Sequence, residues 1–222
     1  MDASKKIARI VGVLYIIGTV TGVLCGIFTE PIFKKSDLLM KAYTNGQQVV
    51  MGLIFLLIMG ISLAWVPVLM YPVLKKHNKI LAIGYVVFRG ALETVTYLIT
   101  GVFWLLIVVL GKLYVNATAS NVSDYKLLGD LLLGGAERST VLTTIVFSLG
   151  AIILYYSLYK SRIIPRWLSG WGLLATLLYL CTGVYALFKS SIDVLLMPLA
   201  VQEMVMAVWL IVKGFNLSAT DS

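Results

Sequence analysis

Charge is scarce in this sequence. Asp, Glu, Lys and Arg make up 13% of its 222 residues, against about 25% in an ordinary soluble domain, and that is too little to coat a water-facing globule of this size. A soluble domain is therefore excluded. Histidine occurs once and cysteine twice, so there is no histidine pair to hold a haem and no disulfide scaffold, and no His, Cys and carboxylate cluster has metal-ligand spacing. Five prolines and nineteen glycines leave no room for a collagen-like or Pro/Gly-rich disordered chain. H-E-x-x-H, the G-x-S-x-G elbow, the phosphate loop and the dinucleotide fingerprint are all absent from the sequence, so neither an enzymatic activity nor a cofactor is expected.

What is present is apolar: 60% of the residues, with a mean hydropathy of +0.96. A helix rises about 1.5 Å per residue, so about 20 apolar residues cross a hydrocarbon core of about 30 Å. Six blocks meet that length, at residues 7–28, 49–71, 80–110, 139–159, 167–188 and 192–212. The sequence thus predicts an all-α integral membrane bundle of six transmembrane helices, in a single domain over residues 1–222. The third block exceeds one crossing and is expected to tilt or to project past the membrane. The first follows Lys5, Lys6 and Arg9 like a signal peptide, but its apolar run is too long and no A-x-A cleavage site comes before Glu30-Pro31. A retained anchor helix is expected.

The basic residues suggest an orientation. One side of the membrane receives Lys5, Lys6, Arg9, Lys75, Lys76, Lys79, Lys160, Arg162, Arg166 and Lys213, with only Asp2 and Asp221 as acids. On the other side Lys34, Lys35, Lys41, Lys112, Lys126, Arg138 and Lys189 are nearly balanced by Glu30, Asp37, Asp124, Asp130, Glu137 and Asp193. This bias predicts cytoplasmic N- and C-termini. It also accounts for the net charge of +8 as a topology signal, so a nucleic-acid partner is not expected. Of the two outer loops, residues 111–138 hold two Asn-x-Ser/Thr triplets, at Asn116 and Asn121, and then an apolar-rich stretch. Ser123 is expected to cap a short interfacial helix in which Leu127, Leu128, Leu131 and Leu132 recur at helical spacing.

Three strings carry a resemblance. They are the opening Ile7-Ala8-Arg9-Ile10-Val11-Gly12-Val13-Leu14-Tyr15-Ile16-Ile17-Gly18, the turn Leu74-Lys75-Lys76-His77-Asn78 with Gly84-Tyr85 and Arg89 after it, and the closing Pro198-Leu199-Ala200-Val201-Gln202-Glu203-Met204. Together they resemble a bacterial membrane family known as domain of unknown function 4386. The resemblance implies a prokaryotic, multi-pass protein of the cell inner (cytoplasmic) membrane. It implies no activity.

Only Arg89, Glu93 and Glu203 are ionisable and deep within the predicted spans. Arg89 and Glu93 are four apart on one helix face, which Thr96 and Thr100 continue. Arg89 lies ten positions past Lys79 and Glu203 ten before Lys213, each about 15 Å deep and so near the midplane. An unpaired charge at that depth costs about 2.5–3.5 kcal/mol on insertion scales, so pairing is expected. One cation facing two carboxylates leaves an excess acid as a candidate proton carrier. The candidate site is therefore Arg89, Glu93, Glu203, Gln202, Thr96 and Thr100, with no metal.

The remaining constellations suit packing. Gly18, Gly22 and Gly26 form a small-residue stripe for close helix approach. Thr140, Thr144 and Ser148 form a polar stripe that either faces the charged cluster or bonds back to its own helix. Pro198, five before Glu203, is expected to kink the sixth span. Cys25 and Cys181 read as apolar fillers, and His77 as part of a solvated turn. Two functions fit. One is a permease-like or solute-binding protein whose cluster handles a small anionic group or a proton. The alternative is a noncatalytic scaffold or accessory subunit in which the cluster is a structural pin and the glycine stripe meets a membrane-protein partner or a second copy. Both place the lipid bilayer around the chain.

Overall fold

The computed structural model describes residues 3–33, 37–118, 121–189 and 192–216. Among them there are helices and short turns and no strand. The helices are α1 (Ala3–Phe33), α2 (Leu38–Thr44), α3 (Gly46–Leu74), α4 (Lys79–Val115), α5 (Val122–Ser161), α6 (Arg166–Ala186) and α7 (Met197–Val212), the last preceded by a tight turn over Asp193–Leu196. Among the described residues six helices are long and apolar enough to cross a membrane, namely α1, α3, α4, α5, α6 and the segment Val194–Val212. Apolar blocks become helices here because a bilayer offers backbone amides and carbonyls no water, and a helix satisfies them internally. Large side chains such as Leu174, Phe188 and Val212 stand outward and exposed, which suits lipid and not water.

The six spanning helices form a ring. Each packs on its neighbour in the chain, α1 on α3, α3 on α4, α4 on α5, α5 on α6 and α6 on α7, and α7 closes the ring on α1. One core cluster fills its interior, with Tyr15, Tyr85, Tyr155, Leu199 and Met206 among its buried members. A second cluster lies toward the loop between α1 and α3, where Leu38, Leu39 and Ala42 of α2 pack with Ile32, Val49 and Ile107.

Several boundaries differ from the expectations. The stretch read as a separate interfacial helix runs without a break into the fourth span, giving one helix of 40 residues. At 1.5 Å per residue that is about 60 Å, twice a hydrocarbon core. No proline interrupts residues 122–161, so nothing ends the helix at the membrane surface. It begins at Val122 after Asn121, and Ser123 lies inside it rather than capping it. The connection between the first two predicted spans contains a short helix, α2. Pro198 stands in the first turn of α7, where its missing amide breaks no bond, so it starts the helix rather than kinking it. The tight turn Asp193–Leu196 takes up the residues before it.

The glycine stripe on α1 is occupied within the chain. A Cβ at Gly18 would lie 2.7 Å from the Leu63 side chain and one at Gly22 2.9 Å from the Met59 sulfur, both on α3. Gly18 and Gly22 therefore pack α1 on α3 and are not a free surface for a partner, while a Cβ at Gly26 would meet only Glu30 of its own helix, at 3.9 Å. Cys25 and Cys181 are free thiols, carried by α1 and α6, which are not adjacent in the ring. His77 is exposed in the turn between α3 and α4, where the Asn78 side chain accepts from the Leu81 amide and caps α4.

Two glycines make opposite expectations. At Gly111 an added Cβ would lie 2.6 Å from the Leu39 carbonyl oxygen and 3.1 Å from the Tyr43 amide nitrogen, so α2 sits backbone to backbone on α4. Nothing lies within 4 Å of such an atom at Gly134. Gly111→Ala is expected to cost about 1–3 kcal/mol through overpacking. Gly134→Ala is expected to be neutral or to stabilise by up to about 1 kcal/mol through helix propensity. Equilibrium unfolding of the two variants in mixed micelles checks the contrast.

Candidate functional site

The site begins with an irregularity in α4. Over Val86–Leu92 the helix widens into a π-helical segment, a conformation that is rare and recurs at functional positions. Neighbours grip it on two sides. On α5, a Cβ at Gly150 would come within 3.2 Å of the Arg89 amide nitrogen, and on α3 the Pro67 ring lies 3.4 Å from the place of a Gly90 Cβ. Gly150 thus lets the backbone of α5 approach the segment that carries the arginine.

Arg89 points into the ring and is 3% exposed, with Glu93 at 1%. Its Nη1 donates to both Glu93 oxygens at 2.9 Å. Glu93 Oε1 also accepts from the Tyr97 hydroxyl at 2.7 Å. On the far side Arg89 Nη2 lies 3.7 Å from Glu203 Oε1, and the Glu203 side chain is 16% exposed. Since α4 and α7 are not neighbours in the ring, this second pair spans its interior. The guanidinium lies 4.4 Å from the centre of the Phe147 ring and 6.0 Å from that of Tyr15, so aromatic faces cover it where carboxylates do not.

Around the ion cluster lies a layer of satisfied polar groups. The Tyr15 and Tyr85 hydroxyls are 3.3 Å apart. Gln202 accepts from the Tyr155 hydroxyl at 2.6 Å and donates to the Leu168 carbonyl at 3.1 Å. It therefore joins α5, α6 and α7, and does not face Arg89. Thr96 donates to the Glu93 carbonyl at 2.7 Å and Thr100 to the Thr96 carbonyl at 3.1 Å, so both bond back into α4. The stripe of Thr140, Thr144 and Ser148 likewise bonds back to its own helix. Two residues also reach across to other helices, Thr143 with its oxygen 2.8 Å from Thr96 Oγ1 and Thr144 with a side-chain hydrogen bond to Tyr179 of α6. Among the described residues, every buried side-chain nitrogen and oxygen has a partner.

Of the candidate residues, the structure brings Arg89, Glu93 and Glu203 together and places Gln202, Thr96 and Thr100 in the supporting shell. Tyr97, Phe147, Tyr15 and Tyr155 were not singled out from sequence. Tyr97 had a legible signal, since it stands four after Glu93 on the same helix face. Phe147 had none, because only the packing of α5 on α4 puts its ring against the guanidinium. A cleft of about 780 Å³ lies at Arg162–Arg166 and Lys213–Asn216, and an apolar groove of about 410 Å³ lies between α3 and α4, lined by Trp65 and Val86. Neither is lined by Arg89, Glu93 or Glu203.

The family model described as Domain of unknown function (DUF4386) matches residues 10–214. The chain belongs to this family. No curated protein and no solved structure matches it. Its membership and six spans make this DUF4386 protein a polytopic membrane protein, and the chemistry rests on the cluster itself. Among the described residues no group of His, Cys, Asp and Glu is arranged to hold a metal ion.

Tyr97 and Thr100 separate the cluster from ordinary helix polarity. Tyr97→Phe removes a hydrogen bond to an ionised carboxylate and is expected to cost about 1.5–3 kcal/mol. Thr100→Val removes only a bond back to its own helix and is expected to change stability by less than about 1 kcal/mol. Unfolding free energies in mixed micelles check both.

Proposed function

We propose that this protein is a noncatalytic membrane scaffold or accessory subunit, in which Arg89, Glu93 and Glu203 act as a pin joining opposite walls of the helix ring. The observation that carries this reading is the burial of the pair, with Arg89 and Glu93 3% and 1% exposed and both Glu93 oxygens bonded to Arg89 Nη1. Arg89 already meets both Glu93 oxygens through Nη1, the Phe147 ring on its face and Glu203 at 3.7 Å, so a substrate anion would have to compete with Glu203 for the guanidinium. The orientation belongs to the same proposal. Lys75, Lys76, Lys79, Lys160, Arg162, Arg166 and Lys213 mark the cytoplasmic end, and the membrane is the bacterial inner membrane.

One observation favours a second reading. Glu203 is 16% exposed and 3.7 Å from Arg89, held more loosely than Glu93, and the cluster has one more carboxylate than cations. A permease-like protein would use Glu203 as a proton carrier, or exchange it for a small anionic group at Arg89.

Two measurements separate the readings. For a pin, Arg89→Met leaves buried carboxylates without their cation and is expected to cost about 3–5 kcal/mol, while the triple variant Arg89→Met, Glu93→Gln, Glu203→Gln recovers most of that loss. Unfolding in mixed micelles reads the cycle. Thr143→Cys, in a chain with Cys25 and Cys181 replaced by Ala, places a thiol of similar size beside Thr96. It is expected to stay unlabelled by a membrane-impermeant maleimide from either side, while a cysteine at exposed His77 reacts. Labelling at position 143 would establish that water reaches the cluster and would replace the pin with the proton- or anion-handling reading.

A further inference from the structure

The cleft of about 780 Å³ lies at the end of the bundle where α5 turns into α6 and where α7 ends. Its wall is the connection Arg162–Pro165. Ile163 and Ile164 of that connection are buried in the core, which fixes the loop in place. Arg162 ends α5 in the left-handed conformation, with φ 57°. After α7 the chain turns at Gly214, where φ is +75°, and comes back over the loop. The Asn216 amide donates to the Ile163 carbonyl at 2.8 Å, and Phe215 is buried beneath. Loop and tail thus enclose a concave space with Trp209 in its lining.

Three cations, Arg162, Arg166 and Lys213, line this space, and no carboxylate does among the described residues. All three are exposed. The Arg166 guanidinium lies 5.2 Å from the centre of the Tyr159 ring, which limits its freedom and orients it. The positive-inside tendency requires only that basic residues stand on one side of the membrane. It does not require them to converge on one cleft whose walls are held by buried side chains and a backbone hydrogen bond. Depth identifies the ligand further. Trp167 and Trp209 meet edge to face at 6.3 Å here, and tryptophan favours the headgroup level of a bilayer. A concave, cationic site at that level, between helix ends, suits phosphate oxygens.

We propose that this cleft binds a phosphate-bearing anion through Arg162, Arg166 and Lys213, with the headgroup of an anionic phospholipid as its source. The site is separate from the mid-membrane cluster and stands whether that cluster is a pin or a proton site.

The test uses the full chain in nanodiscs of phosphatidylcholine, with phosphatidylglycerol added in one arm and inorganic phosphate in the other. Bound lipid is counted by native mass spectrometry, and phosphate binding is followed by isothermal titration calorimetry. The cleft variant is Arg162→Asn, Arg166→Gln, Lys213→Gln, in which Asn suits the left-handed position. The control, Lys75→Gln, Lys76→Gln, Lys79→Gln, removes the same charge from the turn between α3 and α4. The cleft variant is expected to bind phosphatidylglycerol at least about tenfold more weakly, and the control less than about twofold. Arg166→Gln alone, at an exposed helix position, is expected to weaken binding in the same direction with the fold intact. Saturable binding of inorganic phosphate, lost in the cleft variant but without preference for phosphatidylglycerol, would keep the phosphate site and overturn the lipid as its source. Equal weakening in cleft and control variants, or no binding of either probe, would overturn the site.

Discussion

A guanidinium at the middle of a bilayer has no water to solvate it and must find its counter-charge inside the protein. Arg89 finds two. Glu93, one turn along α4, gives a pair that any isolated helix of this sequence is able to form, and its oxygens lie 2.9 Å from Arg89 Nη1. Glu203 is different, because α7 reaches Arg89 only when the ring has closed. In the proposed reading the local pair keeps the arginine compatible with the membrane and the distant one makes the helix arrangement specific, a use of buried ionic groups that is established in some proteins.

The neighbouring packing follows from that constraint. For Arg89 to sit among Glu93, Glu203 and the Phe147 ring, α5 must approach α4 closely, and Gly150 allows it by lacking a Cβ where the Arg89 amide lies. The closure of α7 on α1 uses the same device, since a Cβ at Gly12 would stand 2.5 Å from the Ala207 carbonyl oxygen. Within a bilayer, apolar burial gives helices little reason to associate, so close backbone contact and internal hydrogen bonds supply the attraction. Gln202 is one such tie, linking Tyr155 of α5 to the Leu168 carbonyl of α6. Arg138 is another, donating to the Ala186 and Leu187 carbonyls at 3.1 Å each and so capping the C-terminal end of α6.

The two regions of charge in this DUF4386 protein therefore differ in kind. The cluster inside the ring sets one cation against two carboxylates with aromatic cover and is closely packed. The cleft at Arg162, Arg166 and Lys213 gathers cations at the edge of the bundle with no acid in its lining among the described residues, and its geometry is open.

Much of this was legible in residue order. Block length and hydropathy determined six spans, because a bilayer of nearly constant thickness sets one length for every crossing. The i, i+4 rule placed Arg89 above Glu93, and counting residues from the flanking lysines placed Glu203 at the depth of Arg89. The limits of α5 and α2 were not legible. An apolar amphipathic stretch looks alike whether it lies along an interface, as read for the stretch after Ser123, or continues a span, as it does in the 40-residue α5. Ring order, the roles of Gly150 and Phe147, the separation of Gln202 from Arg89, and the convergence of three cations on one cleft were decided by tertiary structure alone. The physical reason is that depth and helix face are properties of a single helix, set by rise and periodicity, whereas which face meets which depends on close contacts among side chains and backbones far apart in the chain.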